Sequence, residues 1–204
     1  VRSRGLGDVY KRQVPLNAQQ MLQSARDEQA AWQRALSTTL HRTGIPYEAL
    51  RNELLFGTAL FVFVKSSLLP HIRRVEGTTK KTGFRGMSGN KGAVAVRFEL
   101  FDTSICMVGS HLSSGSNNKE ERNADYHAIA RDLVFTRGRT IDSHDHIFWA
   151  GDLNYRIALP SAEEVRDLAS RRQLEPLLLH DQLTDVRMSS QAFAGYNEMP
   201  IRFP

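Results

Sequence analysis

The sequence predicts an α/β domain built on packed sheets, because strand-type and helix-type patterns alternate along the chain. Short apolar runs suited to buried strands occupy residues 54–64, 104–112 and 146–154. Residues 93–100, AVAVRFEL, alternate apolar and polar side chains, which predicts a half-buried strand with Arg97 on its polar face. Periodicity alone leaves the topology of these strands open.

Three segments carry helix signals. Residues 16–40 and 118–135 repeat apolar side chains every three or four positions, which is typical of amphipathic helices. A third helix is indicated by Ser161 and Glu164, which fit the capping box that opens many helices.

Length and composition indicate one globular domain. The 204 residues can bury a substantial core, and 41% hydrophobic with 24% charged residues is ordinary for such a protein. No apolar run approaches the roughly 20 residues that span a bilayer. The single cysteine, Cys106, lies in an apolar run and predicts a core thiol in a reducing, cytosolic compartment.

The net charge of +5 is unevenly distributed. Residues 1–13 carry +3 and show no periodicity, so we interpret them as a non-native leader and residues 14–204 as the domain. Residues 65–91 hold seven basic side chains against Glu76 alone. This excess predicts an anionic partner on one side of the domain, and the alternative is a solvated face without a partner.

The stretch IFWAGDLNYR, residues 147–156, places three polar groups directly after an apolar run. If the chain stays extended, Asp152, Asn154 and Arg156 project to one side. The carboxylate suits a metal, a water or a histidine, and the amide can hold a phosphate oxygen. Arg156 could bind phosphate or pair with Asp152. The alternative is a structural turn rich in Asp and Asn.

Two further motifs fit an anionic substrate. His111 is the first strongly polar group after an apolar strand that begins at residue 104, as Asp152 is after the apolar run that precedes it. The glycine-rich loop GFRGMSGNKG, residues 83–92, can bring backbone N–H groups and Lys91 close to an anion. Gly92 follows the lysine, so the loop is no Walker A motif. Together these motifs favour phosphoryl transfer to water over acyl transfer. A serine hydrolase would require a complete G-x-S-x-G motif at its nucleophile, which this loop lacks.

As a set, four motifs resemble the inositol-polyphosphate 5-phosphatases, and most of all their synaptojanin branch. TGFRGMSGNKGAVAVRF, SHLSSG, KEERNADY and FWAGDLNYRIALP occur in that family's order within residues 14–204. The resemblance implies the four-layered α/β sandwich of the DNase I-like superfamily. It also implies Mg²⁺-dependent removal of the 5-phosphate from phosphoinositides, chiefly phosphatidylinositol 4,5-bisphosphate. Soluble inositol polyphosphates are further expected substrates, and no nucleic acid is expected as a partner.

The resemblance also implies roles for individual residues. Asp152 would orient or deprotonate the attacking water, and Asn154 would hold the scissile phosphate. His111 would contact that phosphate and stabilise the charge of the transition state. The implied substrate-binding or supporting residues are Asn90, Lys91, Arg122, Asn123 and Arg156.

The segment FVKSSLLPHIRR, residues 63–74, resembles a loop that faces the membrane in such enzymes. Leu68 and Leu69 would insert shallowly, and the flanking charges would lie over lipid headgroups. Those charges are Lys65, Arg73 and Arg74. The alternative places both leucines in the core. We therefore expect a cytoplasmic protein with peripheral membrane attachment.

The sequence departs from the family pattern at both ends. The family's Mg²⁺-ligating glutamate would stand just before Val14, where Gln13 is found, and two later catalytic motifs would follow Pro204. We therefore expect a fragment with little or no activity by itself and no metal ligand in residues 14–204. The alternatives are a metal-dependent nuclease of the same superfamily, or a catalytically inactive phosphoinositide-binding or scaffold module.

Overall fold

The computed structural model describes residues 18–55, 57–83 and 91–202, with side chains from residue 27 onward. Several sequence-based predictions concern positions outside the described residues: the leader, the missing glutamate before Val14, and most of the glycine-rich anion loop, residues 84–90, with Asn90. They therefore stay predictions. The chain divides into two compact units, Val1–Tyr47 and Glu48–Pro204. In the first unit, the predicted helix is confirmed as α1, Ala18–His41.

The second unit alternates strands and helices, as the sequence predicts. Its strands are β1 (Tyr47–Leu55, which starts at the unit boundary), β2 (Thr58–Lys65), β3 (Ile72–Lys81), β4 (Gly92–Leu100), β5 (Thr103–His111) and β6 (His146–Asp152). Its helices are α2 (Lys119–Asp132), α3 (Ala162–Ser170), α4 (Leu174–Leu178) and α5 (Gln182–Met188). The side chain of Ser161 accepts a hydrogen bond from the backbone N–H of Glu164, so the predicted cap of α3 is confirmed.

The strands form two sheets. β1 and β2 pair with each other, and the larger sheet has the order β3-β4-β5-β6. β3, β4 and β5 are mutually antiparallel, whereas β5 and β6 are parallel and are connected through α2. A parallel pair needs such a crossover, and its two carboxyl ends then meet at the same end of the sheet.

The core lies on both faces of the larger sheet. On one face, Val62 of β2 packs with Val96 and Phe98 of β4, which joins the two sheets. On the other face, Ile129 of α2 and Val186 of α5 pack with residues of β4 and β5. Three successive layers of the predicted sandwich are therefore seen in this unit, namely small sheet, large sheet and helices.

The prediction that residues 93–100 form a half-buried strand is wrong. β4 is covered on both faces, and Arg97 is only 1% exposed. Its guanidinium bonds to Glu76 at 2.9 Å and to Glu99 at 3.1 Å, and its Nε donates to Nε2 of His144 at 2.9 Å. A buried charge is tolerated when it is paired and hydrogen-bonded in this way.

The expectation of a buried strand at residues 146–154 also needs correction. β6 is at the edge of the described sheet, and its side chains alternate between half-buried and exposed. Ile147 and Trp149 pack on the helical layer, while Phe148 is 58% exposed. No helix in the described part of the chain is long and apolar enough to cross a membrane.

Candidate functional site

The ends of four strands form a row across the larger sheet, which we call the site end. Lys81 pairs with Gly92, Gly92 with His111, and His111 with Asp152. Two sequence-predicted site residues, His111 and Asp152, are therefore direct neighbours at the carboxyl ends of parallel strands. Lys91 precedes the first residue of β4 at the same end.

Two glycines let the strands approach closely at this end. A Cβ atom on Gly151 would lie 2.1 Å from the carbonyl oxygen of Ser110, and one on Gly92 would lie 2.1 Å from that of Lys80. Both residues also have positive φ angles, 129° and 143°. Because only glycine fits such positions, these two residues determine how β6 and β4 enter the site.

The side chains of Lys91, His111 and Asp152 meet at the site end. Nζ of Lys91 contacts Nε2 of His111, and the same Nε2 is 3.6 Å from Oδ2 of Asp152. A lysine ammonium can only donate, so Nε2 of a neutral imidazole is the acceptor in this contact. His111 is 21% exposed and Asp152 is 65% exposed, so the carboxylate faces solvent.

Burial sets the protonation of the two nitrogen bases. Desolvation lowers the pKa of His111, and the charge of Lys91 lowers it further. Desolvation also lowers the pKa of Lys91, an effect that the negative charge of Asp152 opposes. The site therefore combines a neutral imidazole with a partly desolvated ammonium, and an anion bound beside the ammonium would stabilise its charge.

Asn154 is buried, and its amide is bonded on both sides. Nδ2 donates to the carbonyl oxygen of Leu112 at 3.0 Å, and Oδ1 accepts from Arg156 at 2.6 Å. The predicted extended path through Asp152, Asn154 and Arg156 is wrong, since Asn154 has a φ angle of 57°. Asp152 Oδ1 instead accepts the backbone N–H of Asn154 at 3.1 Å, in an Asx-type turn.

Arg122 and Asn123 are buried and are held by neighbouring protein groups. Arg122 is fully buried, donates to the carbonyl of Gly115 at 2.7 Å and stacks over Tyr155. Asn123 accepts a 2.6 Å bond from the hydroxyl of Tyr155. These contacts fit the supporting role that the resemblance left open for both residues.

Two residues that sequence reasoning missed hold the loops of the site. Asp125 accepts the backbone N–H and the hydroxyl of Ser113, at 2.8 and 2.7 Å, and so fixes the segment after His111. Gln182 accepts from both Arg122 and the backbone N–H of Arg156. Asp125 lies in the KEERNADY motif and could have been found there, whereas nothing in the sequence marks Gln182.

The predicted membrane segment is not brought together with the other site residues. The turn Ser66–His71 precedes β3, whose first residue, Ile72, pairs with Leu100 at the opposite end of the sheet. Eight residue steps along β4 separate the two ends, about 27 Å at the usual rise per residue. Leu69 is exposed and Leu68 is half-buried, so neither belongs to the core.

The described residues offer few ligands for a metal. No group of three or more His, Cys, Asp or Glu that could hold an ion is found among them. Mg²⁺ commonly binds through one or two carboxylates together with substrate phosphates. The expectation that residues from Val14 onward supply no metal ligand stays a prediction. The carboxylate of Asp152 is 65% exposed, so its chemistry fits a cation that is shared with a substrate.

Residues 9–204 match the endonuclease/exonuclease/phosphatase family 2. Because the match covers nearly the whole chain, the chain belongs to this family, and the resemblance inferred from its motifs is confirmed. The matched range begins before Val14, so it includes the last residues of the segment that we interpret as a leader.

Relatives within the family are inositol phosphatases. The chain is 42% identical to inositol-1,4,5-trisphosphate 5-phosphatase 1 of Schizosaccharomyces pombe over 98% of its length. It is 41% identical to human synaptojanin-1 over 95% of its length. The chain spans 19% and 12% of these two relatives.

A solved structure of similar fold is the inositol polyphosphate 5-phosphatase domain of Spsynaptojanin, in complex with inositol (1,4)-bisphosphate and a calcium ion. The TM-score is 0.73 at 47% identity, over 78% of this chain and 46% of that chain. The predicted DNase I-like fold class is thus confirmed. Cimex nitrophorin, with a TM-score of 0.63 at 19% identity over 87% of this chain and 60% of that chain, shares the fold alone.

Proposed function

We propose that this domain hydrolyses the 5-phosphate of phosphatidylinositol 4,5-bisphosphate and of related lipid or soluble inositol phosphates by attack of water. The observation that carries the proposal is the contact of Lys91 and Asp152 with His111 at the ends of adjacent strands. The kinship with inositol 5-phosphatases supports the choice of substrate.

The proposed chemistry follows from the charges at the site end. Phosphoryl transfer depends mostly on positioning and electrostatic stabilisation. Lys91 and His111 bind the phosphate. Arg156, which donates a hydrogen bond to the amide oxygen of Asn154, adds a further positive charge to the site. Asp152 is the exposed carboxylate beside the same ring nitrogen of His111, where it orients the attacking water and accepts its proton.

Mg²⁺ is the cofactor that we propose. It would be held by Asp152 together with the substrate phosphate, and it would neutralise negative charge on the phosphoryl oxygens. The bonds that Asn154 makes to Leu112 and Arg156 keep the turn after Asp152 in place, so the carboxylate is presented without rearrangement of the backbone.

We propose a cytoplasmic location with peripheral attachment to phosphoinositide membranes. Lys65, Leu68, Leu69, Arg73 and Arg74 are available to a lipid surface, because Leu69 and both arginines are exposed. A bilayer that contacts this segment does not present its headgroups to His111, which lies at the other end of the sheet. Contact by this segment is therefore a second attachment, separate from capture of the scissile headgroup.

The test is phosphate release with the chain in excess over substrate, because we still expect little activity from the chain by itself and a slow turnover must be detected. Vesicles containing phosphatidylinositol 4,5-bisphosphate are compared with vesicles containing phosphatidylinositol 4-phosphate, which lacks the 5-phosphate. We expect release from the first only, dependent on Mg²⁺ and lost in Asp152→Ala. Asp167→Ala, an exposed aspartate of α3, is the matched control and keeps the release.

Equal release from both lipids would contradict 5-phosphate specificity. Release that survives Asp152→Ala or chelation of Mg²⁺ would contradict the proposed roles of the carboxylate and the cation.

A further inference from the structure

Arginines converge at the end of the sheet opposite the site, which we call the far end. Arg74, Arg97, Arg137 and Arg139 line a cavity of about 260 Å³ together with Glu76 and Thr136. Four guanidinium groups thus face one carboxylate in the lining. The cavity is smaller than the roughly 300–1,000 Å³ of pockets for drug-sized ligands, which suits a single phosphate group.

The carboxylates near the cavity are already used by the protein. Glu76 accepts from Arg97 through Oε1 and from the backbone N–H of Thr136 through Oε2, both at 2.9 Å. Oε1 of Glu99 is shared by Arg74 at 2.9 Å, Arg97 at 3.1 Å and Arg139 at 3.8 Å. Three cations around one carboxylate oxygen leave positive charge that the described ion pairs do not neutralise.

A short loop presents two of these arginines. Phe135 N donates to Arg139 O at 2.8 Å, which closes the turn, and the bond from Thr136 to Glu76 anchors it to β3. Arg137 is exposed and has a φ angle of 60°, in the left-handed region that is costly for a residue with a side chain. Arg74 shares this conformation, with a φ angle of 53°, at an irregularity in the pairing of β3.

We propose that this far-end cavity is a second anion site that binds a phosphate group through Arg137, Arg139 and Arg74. Arginine is suited to this role because its planar fork donates two parallel hydrogen bonds to phosphate. Arg97 supports the site from below through its bonds to Glu76, Glu99 and His144. The phosphate belongs to a soluble inositol phosphate or to a lipid headgroup.

Arg97 and Glu99 lie five and seven residue steps along β4 from Gly92, the partner of His111, which is about 17–23 Å at the usual rise per residue, so the second site is separate from the proposed catalysis. An exposed aromatic residue, Phe101, stacks on His71 beside Arg73 and Arg139. This neighbourhood is compatible with both sources of phosphate, which the experiment must separate.

The test compares Arg137→Gln/Arg139→Gln with Arg166→Gln/Arg171→Gln, within and just after α3, which removes the same charge from exposed positions. Binding of soluble inositol 1,4,5-trisphosphate is followed by backbone amide shifts at residues 136–139. Binding to phosphatidylcholine vesicles with and without phosphatidylinositol 4,5-bisphosphate is followed by co-sedimentation. We expect the first variant to weaken binding about tenfold or more, because it removes charge-assisted hydrogen bonds to the phosphate.

The two arms identify the source. Loss confined to vesicle binding assigns the site to a lipid headgroup, and loss confined to the soluble ligand assigns it to free inositol phosphates. Amide shifts absent from residues 136–139, together with unchanged vesicle binding in Arg137→Gln/Arg139→Gln, would overturn the proposal whatever happens at the site end.

Discussion

Asn154 donates a 3.0 Å hydrogen bond through Nδ2 to the carbonyl oxygen of Leu112, across 42 residues of sequence. The backbone N–H of Leu112 in turn donates to the carbonyl of Asp152 at 3.0 Å. The turns that follow β5 and β6 are therefore tied together, and the tie fixes His111 relative to Asp152.

Asn154→Asp tests this tie with almost no change of shape. Asp tolerates the left-handed backbone as Asn does, but it faces the carbonyl of Leu112 with a second acceptor. We expect a loss of about 1–3 kcal/mol in the free energy of unfolding, measured by urea denaturation. Asn197→Asp, at an exposed position, should leave it unchanged. Equal free energies of unfolding for Asn154→Asp and Asn197→Asp would contradict this role of the bond between Asn154 and Leu112.

Gly151→Ala tests the close approach of β6 to β5. Gly138→Ala is the control, because Gly138 also has a positive φ angle but has open space around its Cβ position. We expect the control to lose about 1–2 kcal/mol from the left-handed backbone alone. Gly151→Ala should lose clearly more, since its Cβ would meet Ser110 O. Similar thermal midpoints for the two variants would refute the steric account.

Arg97→Ala tests the buried charge network of the far end. Removing Arg97 leaves Glu76, Glu99 and His144 without their shared partner, and we expect a cost of about 3–5 kcal/mol in unfolding free energy. Arg74→Ala removes a 60% exposed arginine that also pairs with Glu99 and should cost less than about 1 kcal/mol. The account fails if both variants unfold at the same denaturant concentration.

The same network predicts how stability depends on pH. Hydrogen bonding from Thr136 lowers the pKa of Glu76. Desolvation raises the pKa of Glu99, but bonds from Arg74 and Arg97 outweigh it and lower that pKa on balance. A carboxylate whose pKa is lowered in the folded state stabilises the fold at pH values above its ordinary pKa of 4.5. That contribution is lost as the pH falls through the lowered pKa.

Thermal midpoints of the protein and of Glu76→Gln/Glu99→Gln should therefore differ at neutral pH and converge well below pH 4.5. Glu163→Gln, on the exposed side of α3, is the control and should show little difference at either pH. A difference that grows on acidification would have the wrong sign for this explanation.

Much of the site could be predicted from the sequence, because a polar residue directly after an apolar run indicates where a strand ends. The apolar runs before His111 and before Asp152 predicted two strands and the pattern between them predicted a helix, but periodicity left open how the two strands pair. A strand–helix–strand unit places both carboxyl ends on one side, as the pairing of His111 with Asp152 confirms.

The remaining features depend on contacts between distant segments. In the sequence AVAVRFEL, Arg97 resembles a surface residue. It is buried because both faces of β4 are packed and because Glu76 and His144, from distant segments, form hydrogen bonds with it. The far-end position of residues 66–74 follows from the register of β3 on β4, which no local pattern encodes. The turn at Asn154 depends likewise on a bond to Leu112.

The central claim is that Lys91, His111 and Asp152 form one phosphate site. The most direct measurement is a titration of the isotopically labelled chain with inositol 1,4,5-trisphosphate, which carries the 5-phosphate, and Mg²⁺, followed through the backbone amides and imidazole signals of the site end. We expect Lys91, His111 and Asn154 to shift together, with a response that is strongly reduced in Asp152→Ala. Unchanged signals at all three residues in the unsubstituted chain would contradict the account.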